Sequence, residues 1–443
     1  MAGVVVLGGG AAGEAFVAEL RKLDGGVPVA LVERELVGGE CSYWACMPSK
    51  TLLRSPEIVA AARRAPGAAE ALTGRPDPER VFWWRSQVVD ELDDSAQASW
   101  LAELDVELVR GDGRVREPGI VVVGERELRY DALVVATGSE PAVPAVPGLQ
   151  GLPFWTSREA TSAREVPASF CVLGGGVVGC ELAQVYHRLG SEVHLVQIGP
   201  KLLPREDAEA GELLADSLRE EGVQVHTCAE AEAVECKHTD CFHIRLPEGE
   251  EIRADRLLVA TGRRARTEGL GLEALGVRVE RQGIVVDERL RAADGVWAVG
   301  DVTGIALFTH VGKYQGRVAA RDLTGRAVRA DYRAVPAVTF TDPQVASVGR
   351  TDGEGTVTAK REAASRHSTY ERPKRKLFVK LFADPERRVL VGATVVGPEA
   401  GEWLGQLTLA VRAEIPVDTL RDTIQPYPTF SEAIHFALRD LPL

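Results

Sequence analysis

The sequence predicts an α/β protein in which one strand–turn–helix–strand unit occurs twice, followed by a third domain of α+β type. The first copy has an apolar strand at residues 4–7, a glycine-rich turn, a helical pattern to about Leu23 and a strand at residues 29–32. The second copy has a strand at residues 170–173, a matching turn and a strand at residues 192–196. Two well-separated copies indicate two domains of one kind and not a solenoid array.

The composition is that of an acidic chain with ordinary apolar content. Of its 443 residues, 45% are hydrophobic, and 52 Lys and Arg stand against 65 Asp and Glu, for a net charge of −13. A nucleic-acid-binding protein usually presents a basic face, so we expect no nucleic-acid partner. No apolar run reaches the length of a membrane span and the first residues lack the features of a secretory signal. We therefore expect no membrane association and a cytoplasmic location.

Changes of pattern along the chain suggest the domain boundaries. Residues 133–139 and 257–263 both resemble buried strands that end in Ala-Thr-Gly, each where a copy of the repeated domain would end. Residues 141–153 are rich in Pro and Gly and suit a linker. The charged, amphipathic segment 80–107 predicts helices, and from about Ala330 strand-like runs precede a helix. We expect three domains, formed by residues 1–141 with 264–329, 142–263, and 330–443.

The first glycine-rich turn has the spacing of a dinucleotide-binding site. Gly8, Gly10 and Gly13 fit G-x-G-x-x-G, whose glycines permit a tight turn, close approach of a pyrophosphate and close helix–strand packing. The helix N-terminus adds N–H groups and the positive end of a dipole. Glu33 ends the second strand, where a carboxylate can accept hydrogen bonds from ribose hydroxyls. The turn therefore predicts a site for FAD or NAD.

The second turn, with Gly174, Gly176 and Gly179, repeats the pattern but has Gln197 at the acidic position. A carboxylate there would repel the 2′-phosphate of NADPH, and a nearby Arg would attract it. Gln197 does neither strongly. Lys201 and Arg205 follow closely and are either NADPH ligands or solvated loop charges. This turn therefore predicts a nicotinamide cofactor and leaves both NADH and NADPH open.

Cys41 and Cys46 stand five residues apart at the predicted start of a helix. Two such cysteines come within disulfide range if the first helical turn is distorted. A helix N-terminus and a nearby cation, here Lys50, lower the pKa of a thiol and favour the nucleophilic thiolate. The alternative is a pair of buried structural cysteines, since free Cys is often buried. In a reducing compartment, paired cysteines are more often catalytic or metal-binding than structural disulfides.

Taken together, several motifs resemble those of the pyridine nucleotide-disulfide oxidoreductases, the family of dihydrolipoamide dehydrogenase, glutathione reductase and mercuric reductase. Besides the two turns and the Ala-Thr-Gly segments, the motifs are G-G-x-C-x-x-x-x-C-x-P-S-K at 38–50, Glu181, and residues 299–302, 338–343 and 427–432. The resemblance implies two Rossmann-like domains, for FAD and for NAD(P), and a C-terminal α+β dimerisation domain. It also implies a homodimer, because the C-terminal motif completes the active site of the partner.

The resemblance also assigns cofactor-binding residues. Asp301 matches a carboxylate that bonds the ribityl chain, and residues 307–310 match a segment beneath the isoalloxazine ring. Val177 holds a position that is a gating Tyr in some members, so we expect no aromatic gate. The full set is Gly8, Gly10, Ala12, Gly13, Glu33, Gly39, Lys50, Gly113, Thr137, Gly138, Ser139, Gly174, Gly176, Val177, Val178, Gly179, Gln197, Gly262, Gly300, Asp301, Leu307, Phe308, Thr309 and His310.

The catalytic residues implied by the resemblance centre on the cysteine pair. Cys46 matches the thiolate that lies against the flavin, and Cys41 matches the interchange thiol that meets the substrate. Lys50 and Glu181 match an ion pair near flavin N5. A cation there stabilises developing negative charge, and its partner carboxylate avoids an unpaired buried charge.

The C-terminal motif departs from the family pattern. Where the lipoamide and glutathione enzymes have a His that shuttles protons, this chain has Tyr427, while the Glu five residues later is kept as Glu432. An unperturbed Tyr is a poor base at neutral pH, although it can donate a hydrogen bond. We expect Tyr427 to pack at the interface and line the substrate cleft. No cysteine follows Cys241, so we do not expect the C-terminal cysteine pair of efficient mercury reduction.

The sequence leaves the final electron acceptor open. The first hypothesis is that electrons pass from NAD(P)H through FAD to the Cys41–Cys46 disulfide and on to a disulfide or dithiol substrate. The alternative is reduction of quinones, dyes or metal ions at the flavin, and a third is a redox-sensing or scaffold flavoprotein. Cys236 and Cys241 interleave with His238 and His243, but tighter Cys-x-x-Cys pairs are usual for zinc, so we expect no metal site.

Overall fold

The computed structural model describes residues 3–236, 241–362, 364–371 and 377–443. The chain forms two compact units. The first unit comprises Met1–Pro48, Arg85–Ala142 and Gly262–Asp331, and the second comprises Ser49–Trp84, Val143–Thr261 and Tyr332–Leu443. The helices Cys46–Arg64 and Pro78–Val88 each begin in a segment of one unit and end in a segment of the other.

A six-stranded sheet forms the centre of the first unit. Its strands lie in the order Arg291–Ala293, Val296–Ala298, Ala132–Val135, Val4–Leu7, Val29–Glu33 and Val106–Arg110. Neighbouring strands are parallel, except that the first two form an antiparallel pair. Alternate residues of Val4–Leu7 belong to two different apolar clusters. Because both faces of the sheet are covered, this strand is apolar and buried at every position.

Helices and small antiparallel sheets complete the first unit. The helices that lie wholly within it are Ala11–Leu23, Gly39–Tyr43, Ser95–Glu103 and Thr309–Leu323, with 3-10 turns at Asp90–Leu92, Leu272–Leu275 and Gly300–Thr303. The small sheets pair Gly113–Glu117, Ile120–Val123 and Arg126–Arg129, then Ser139–Pro141 with Arg263–Ala265, and Val279–Glu280 with Gly283–Ile284. The first and last long helices pack closely, since a Cβ on Gly316 would lie 2.5 Å from the Ala12 carbonyl oxygen.

The second unit contains a four-stranded parallel sheet with the strand order Gln224–Thr227, Glu192–Gln197, Ser169–Leu173 and Arg256–Val259. The helices Ser157–Ser162, Val177–Leu189 and Ala208–Glu221 accompany it. An antiparallel sheet of Ala233–Cys236, Phe242–Arg245 and Glu251–Ala254 follows, with 3-10 turns at Ala69–Ala71 and Pro247–Gly249 elsewhere in the unit.

A five-stranded antiparallel sheet lies at the carboxyl end of the second unit. Its strand order is Pro336–Thr339, Gln344–Gly349, Val389–Gly397, Phe378–Asp384 and Val357–Arg361. The helices His367–Tyr370, Ala400–Arg412, Val417–Asp422 and Glu432–Asp440 belong to the same region. Buried side chains from this sheet and from the last three helices form one apolar cluster.

The architecture confirms the predicted α/β class and the two strand–turn–helix–strand copies. The helices predicted for the segment 80–107 are confirmed as Pro78–Val88 and Ser95–Glu103, but the end of the segment differs. Val106 and Glu107 begin the strand Val106–Arg110. Val106 is buried and pairs with Val29 on the edge of the first sheet, so a partner strand overrides the local helical pattern. None of the helices among the described residues is long and apolar enough to cross a membrane.

Candidate active site

The first glycine turn leaves space where a pyrophosphate would lie. A Cβ on Gly8, whose φ is +107°, would lie 2.3 Å from the Ala136 carbonyl oxygen, and a Cβ on Gly13 would lie 2.2 Å from the Gly8 carbonyl oxygen. The tight turn and the close helix–strand packing therefore both require glycine. A Cβ on Gly10, in contrast, would have nothing nearer than 3.9 Å. The helix Ala11–Leu23 begins there without a side-chain cap, so its N–H groups suit the pyrophosphate of FAD.

Glu33 is held at this turn by the backbone. The Gly9 N–H donates to Glu33 Oε2 over 2.7 Å, and the Glu35 N–H donates to Oε1 over 2.8 Å. Gly39, with φ of +61°, passes close to Gly10. Gly113 packs against the first sheet, where an added Cβ would lie 2.7 Å from a methyl of Leu7. These predicted cofactor residues therefore lie around one turn of the first unit.

The second turn repeats this geometry in the second unit. A Cβ on Gly174, with φ of +113°, would lie 2.4 Å from the Ala260 carbonyl oxygen, and a Cβ on Gly179 would lie 1.9 Å from the Gly174 carbonyl oxygen. A Cβ on Gly176 would have nothing within 4 Å. The helix Val177–Leu189 starts directly after it, with Val178 partly exposed. This turn therefore fits a second dinucleotide.

Gln197 reproduces the contact of Glu33 without its charge. The Gly175 N–H donates to Gln197 Oε1 over 2.8 Å, and the Gln197 side chain is buried. Lys201 Nζ donates to the Glu206 carbonyl oxygen, and Arg205 is exposed. The Gln197 amide therefore accepts the hydrogen bond that a carboxylate accepts in the first turn. It adds no negative charge that would repel a 2′-phosphate.

The structure brings the thiols of Cys41 and Cys46 into hydrogen-bond contact. The two cysteines lie on two separate helices and not on one helix with a distorted first turn. Cys41 lies in the short helix Gly39–Tyr43, and Cys46 begins the long helix Cys46–Arg64. Cys46 Sγ lies 3.3 Å from Thr309 Oγ1, at the first residue of the helix Thr309–Leu323. Both cysteines are half-buried.

The surroundings of the two thiols favour ionisation of only one of them. The hydrogen bond to Cys46 and burial both raise the pKa of Cys41 well above its usual range. Contacts with Thr309 and the charge of Lys313 oppose that rise without cancelling it. Two such close thiols titrate as a pair, so the first proton lost leaves a thiolate that accepts the remaining S–H. The arrangement can hold a thiol–thiolate pair or a disulfide.

Asp301 lies in a hydrogen-bonded group of the first unit. Ser139 Oγ donates to Asp301 Oδ2 over 2.6 Å, and Arg263 donates to Ser139 Oγ over 2.7 Å. Burial raises the pKa of Asp301 despite these contacts. The neighbouring Thr137 Oγ1 donates to the Arg266 carbonyl oxygen over 2.7 Å. Polar groups of this kind, held at the end of the parallel sheet, suit the polar chain of FAD.

Other predicted cofactor residues of the first unit lie beside open space or at the start of a helix. Gly138 and Gly262 have positive φ, and a Cβ on either would have nothing within 4 Å. Gly300 also has positive φ and donates its N–H to Gln315 over 2.7 Å. Residues 307–310 lead into the helix at Thr309, and the Phe308 and His310 rings stack with centroids 5.1 Å apart.

Lys50 and Glu181 form an ion pair within the second unit. Lys50 Nζ lies 2.7 Å from Glu181 Oε2, and only 3% of the Glu181 side chain is exposed. The Phe340 backbone N–H donates to Glu181 Oε1 over 2.9 Å. The Lys50 ammonium lies 4.8 Å from the centroid of the Phe340 ring. The buried carboxylate is therefore satisfied on both oxygens, and the ammonium is held from two sides.

The sequence patterns predicted no role for three residues that lie at these sites. Phe340 occurs in the motif at 338–343 but was given no role there. Arg263 follows the second Ala-Thr-Gly segment, a position that could have signalled it. Glu14 follows the first glycine turn, and burial raises its pKa to about 7, with Lys313 opposing the rise. No motif marks Glu14, because its pKa depends on tertiary packing.

The C-terminal motif places its two predicted residues in different environments. Tyr427 is 75% exposed and is joined to Pro428 by a cis peptide bond. Glu432 is buried, and its Oε2 accepts from the Ser365 N–H over 3.2 Å. The Tyr427 hydroxyl is therefore accessible from outside this chain, whereas Glu432 supports the local fold.

Cys236 and His243, two residues of the segment in which Cys and His interleave, lie on strands of the antiparallel sheet of the second unit, and Cys241 directly precedes one of these strands. His238 is outside the described residues. Among the residues that the structure describes, no group of three or more His, Cys, Asp or Glu side chains is arranged to hold a metal ion.

Comparison with known proteins places this geometry in a family. Residues 2–321 match the model of the pyridine nucleotide-disulphide oxidoreductases, and residues 335–438 match the dimerisation domain of the same family. A mercuric reductase of Acidithiobacillus ferrooxidans is 36% identical over 98% of this chain and 81% of its own length. A dihydrolipoyl dehydrogenase of Thermus scotoductus is 37% identical over 97% of this chain and 95% of its own length.

Solved structures agree with these relatives. The HOCl-induced flavoprotein disulfide reductase RclA from Escherichia coli superposes with a TM-score of 0.87 at 26% identity, covering 99% of both chains. LpdA from Mycobacterium tuberculosis gives a TM-score of 0.87 at 27% identity, covering 98% of both chains. The chain belongs to the pyridine nucleotide-disulfide oxidoreductases: it is a homodimeric flavoenzyme that uses FAD and NAD(P)H and passes electrons to a redox-active disulfide.

Proposed function

We propose that Cys41 and Cys46 are the redox-active pair and that the enzyme uses them to reduce a disulfide substrate, or to oxidise a dithiol. The observation that carries this proposal is the contact between the two thiols beside the N-terminus of the helix Thr309–Leu323. Two half-buried cysteines in contact can exchange between dithiol and disulfide with little rearrangement. FAD held by the residues of the first glycine turn would supply the hydride acceptor for NAD(P)H and the source of an electron pair for such a disulfide.

In this proposal the two thiols have different roles in thiol–disulfide exchange. Cys46, next to Thr309 Oγ1 and a helix N-terminus, keeps the negative charge, and Cys41 keeps the remaining proton. The Cys41 proton passes to the Cys46 thiolate as the Cys41 sulfur attacks a substrate disulfide, whose S–S bond breaks, and the departing thiolate then takes that proton from Cys46. The Cys46 sulfur then attacks Cys41, releases the second substrate thiolate and restores the Cys41–Cys46 disulfide. Two electrons thus pass from the pair to the substrate.

The other predicted residues hold cofactors and charges. We assign the turn at Gly8 to FAD and the turn at Gly174 to NAD(P)H, supported by the space above Gly10 and Gly176. We assign the Lys50–Glu181 pair to the cation site that the family resemblance places near flavin N5. The ion pair keeps a positive charge in place without leaving the buried carboxylate unpaired.

We retain the domain boundaries proposed from the sequence. FAD is bound by residues 1–141 with 264–329, NAD(P)H by 142–263, and the subunit contact is formed by 330–443. We assign Tyr427 to the substrate cleft of the partner subunit as a hydrogen-bond donor, supported by its exposure. We also propose a cytoplasmic location, where NAD(P)H is available and free cysteines stay reduced.

A second candidate function is reduction of quinones, dyes or metal ions at the flavin. The residue that favours it is Tyr427, because a Tyr in place of the family's His removes the usual proton shuttle for disulfide exchange. Relatives named mercuric reductase, and a neighbour solved as a Cu(II) complex, show that metal ions are ligands or substrates elsewhere in this family. In this function Cys41 is dispensable.

The Cys41→Ser variant separates the two functions. We assay NADPH and NADH consumption with lipoamide and glutathione disulfide as disulfide probes and menadione as the quinone probe. We expect loss of at least about 100-fold with the disulfide probe that the wild type reduces, and menadione activity within about twofold of the wild type. The exposed Cys228→Ser is the matched control and should change neither activity. Disulfide turnover that survives Cys41→Ser would contradict the proposal.

A further inference from the structure

A second group of reactive side chains lies on the antiparallel sheet of the second unit, apart from the proposed redox pair. Cys241 Sγ lies 3.6 Å from His243 Nε2. The other ring nitrogen, His243 Nδ1, lies 2.5 Å from Glu251 Oε1. Arg253 Nε donates to the same carboxylate oxygen over 3.0 Å. A thiol, an imidazole and a carboxylate thus form a continuous line of contacts.

The alternation of the sheet sets these side chains on its outer face. Phe242 and Ile244 are buried in the apolar cluster on the inner face. Their neighbours Cys241 and His243 therefore point the other way, since successive strand residues alternate. Cys236 pairs with Phe242 and packs against the inner cluster, so it lies on the opposite face from Cys241. Cys241 is half-buried and remains reachable from solvent.

The carboxylate determines which nitrogen of His243 carries the proton. An ionised carboxylate only accepts hydrogen bonds, so the Nδ1 that contacts Glu251 must donate. The contacts with His243 and Arg253 lower the pKa of Glu251, which keeps it ionised at neutral pH. With the proton on Nδ1, Nε2 is the ring nitrogen that can accept a proton from the Cys241 thiol. This is the order of nucleophile, base and orienting group found where a side-chain nucleophile is activated.

We propose that Cys241 is a second reactive thiol of the enzyme, a site of covalent modification by peroxides and soft electrophiles, with His243 as its base and Glu251 orienting that base. With hydrogen peroxide, the Cys241 proton passes to His243 Nε2 and the sulfur attacks one peroxide oxygen. The O–O bond breaks, and the departing hydroxide takes the proton from the imidazolium as water. The sulfur gives up two electrons and becomes a sulfenic acid. An external thiol restores it, because Cys236 lies on the other face.

This site does not depend on the function proposed for Cys41 and Cys46. In the oxidised holoenzyme those two sulfurs would be held in a disulfide, whereas Cys241 would stay free. Peptide mapping reads each cysteine separately, so the two proposals succeed or fail independently.

The test is the rate at which iodoacetamide labels each cysteine of the oxidised holoenzyme, followed by peptide mass spectrometry between about pH 6 and 9. Cys228 is the internal control, because it is exposed and lies in the same unit. We expect Cys241 to react at least about tenfold faster than Cys228 at pH 7 despite its lower exposure. Its reactivity should stay high below the usual thiol pKa of about 8.5.

Variants of His243 and Glu251 test whether these two residues cause the reactivity of Cys241. His243→Gln should lower the Cys241 rate to about that of Cys228, and Glu251→Gln should lower it severalfold while the turnover at the proposed redox pair is unchanged. Glu251→Gln and the pH profile of the wild type carry the test if His243→Gln fails to fold. Equal rates for Cys241 and Cys228, or full Cys241 reactivity in a folded variant, would overturn the proposal.

Discussion

At the scale of single residues, Phe340 contacts both members of the Lys50–Glu181 ion pair. Its backbone N–H satisfies Glu181, and its ring faces the Lys50 ammonium. A cation–π contact contributes about 0.5–2 kcal/mol, depending on how far the cation is desolvated. The ring and the N–H act on the two ends of one ion pair, so Phe340 positions Lys50 without itself carrying charge.

Phe340→Leu should therefore slow hydride transfer from NAD(P)H without weakening NAD(P)H binding. The variant keeps the backbone donor to Glu181 and removes only the ring, so we expect a fall of about 2–20-fold, within the range of a cation–π contact. Anaerobic stopped-flow absorbance measures the rate, and its dependence on NAD(P)H concentration measures binding. Phe340→Tyr is the control and should retain the wild-type rate. An unchanged rate in Phe340→Leu would show that the ring has no part in positioning Lys50.

Glu14 carries a pH dependence of stability whose sign follows from its raised pKa. Burial raises the pKa from 4.5 to about 7, so the folded protein prefers the neutral carboxyl. That stabilisation is complete below the unfolded pKa and is lost as the pH rises through about 7. Glu14→Gln cannot ionise, so it should be more stable than the wild type at pH 8 by up to about 3 kcal/mol. At pH 5 the two should differ little.

Thermal unfolding of the holoenzyme at pH 5 and pH 8 measures this difference. Exposed Glu103→Gln, also on a helix of the first unit, is the control and should shift neither midpoint. A destabilised Glu14→Gln at pH 8 would mean that the carboxylate is held by contacts that outweigh its burial.

At the scale of elements, different glycines of each turn serve packing within the protein and the approach of a ligand. The glycines at the first and last positions of each turn are required by the protein itself, since their added Cβ atoms would lie 1.9–2.4 Å from carbonyl oxygens. The middle glycine of the second turn, Gly176, faces open space. Its backbone is extended, with φ of −80° and ψ of −174°, so another residue fits without strain.

Gly176→Ala and Gly179→Ala should therefore fail in different ways. We expect Gly176→Ala to keep the thermal midpoint of the wild type and to bind NADPH and NADH at least about tenfold more weakly, because the methyl occupies the pyrophosphate space. Gly179→Ala should lose about 1–3 kcal/mol or more of stability through overpacking. Thermal unfolding and cofactor titration measure the two effects. Normal cofactor binding in Gly176→Ala would remove this turn from the cofactor site.

At the scale of the whole molecule, large apolar side chains lie exposed in the region that matches the dimerisation domain. Ile424 is 95% exposed and Leu409 is 61% exposed in the single chain. Removing large apolar side chains from water stabilises an association. We expect the subunit contact of the homodimer to cover both residues.

Ile424→Asp and Leu409→Asp should weaken the dimer. Placing a carboxylate in an apolar contact costs several kcal/mol of association, so the mass at low micromolar concentration should fall from twice the chain mass towards 47.7 kDa. Analytical ultracentrifugation measures it. Ile198→Asp is the control, because Ile198 is 63% exposed but lies outside the dimerisation match. A dimer that persists in both variants, or dissociates in the control, would place the subunit contact elsewhere.

The sequence by itself determined the α/β class, the two dinucleotide turns and the position of the cysteine pair. Each depends on residues close together in the chain, such as Gly8 with Gly13, so spacing alone carries the information. The helix start at Cys46 and the strand ending at Glu33 follow from the same local patterns.

Only the tertiary structure decided which side chains meet across long distances in the chain. Phe340 reaches Glu181 over 159 residues, and Cys46 meets Thr309 over 263 residues. The strand at Val106 and the raised pKa of Glu14 likewise depend on neighbours that no local pattern names. Packing brings these groups together and removes water from them, and hydrogen bonding, burial and charge then fix their chemistry.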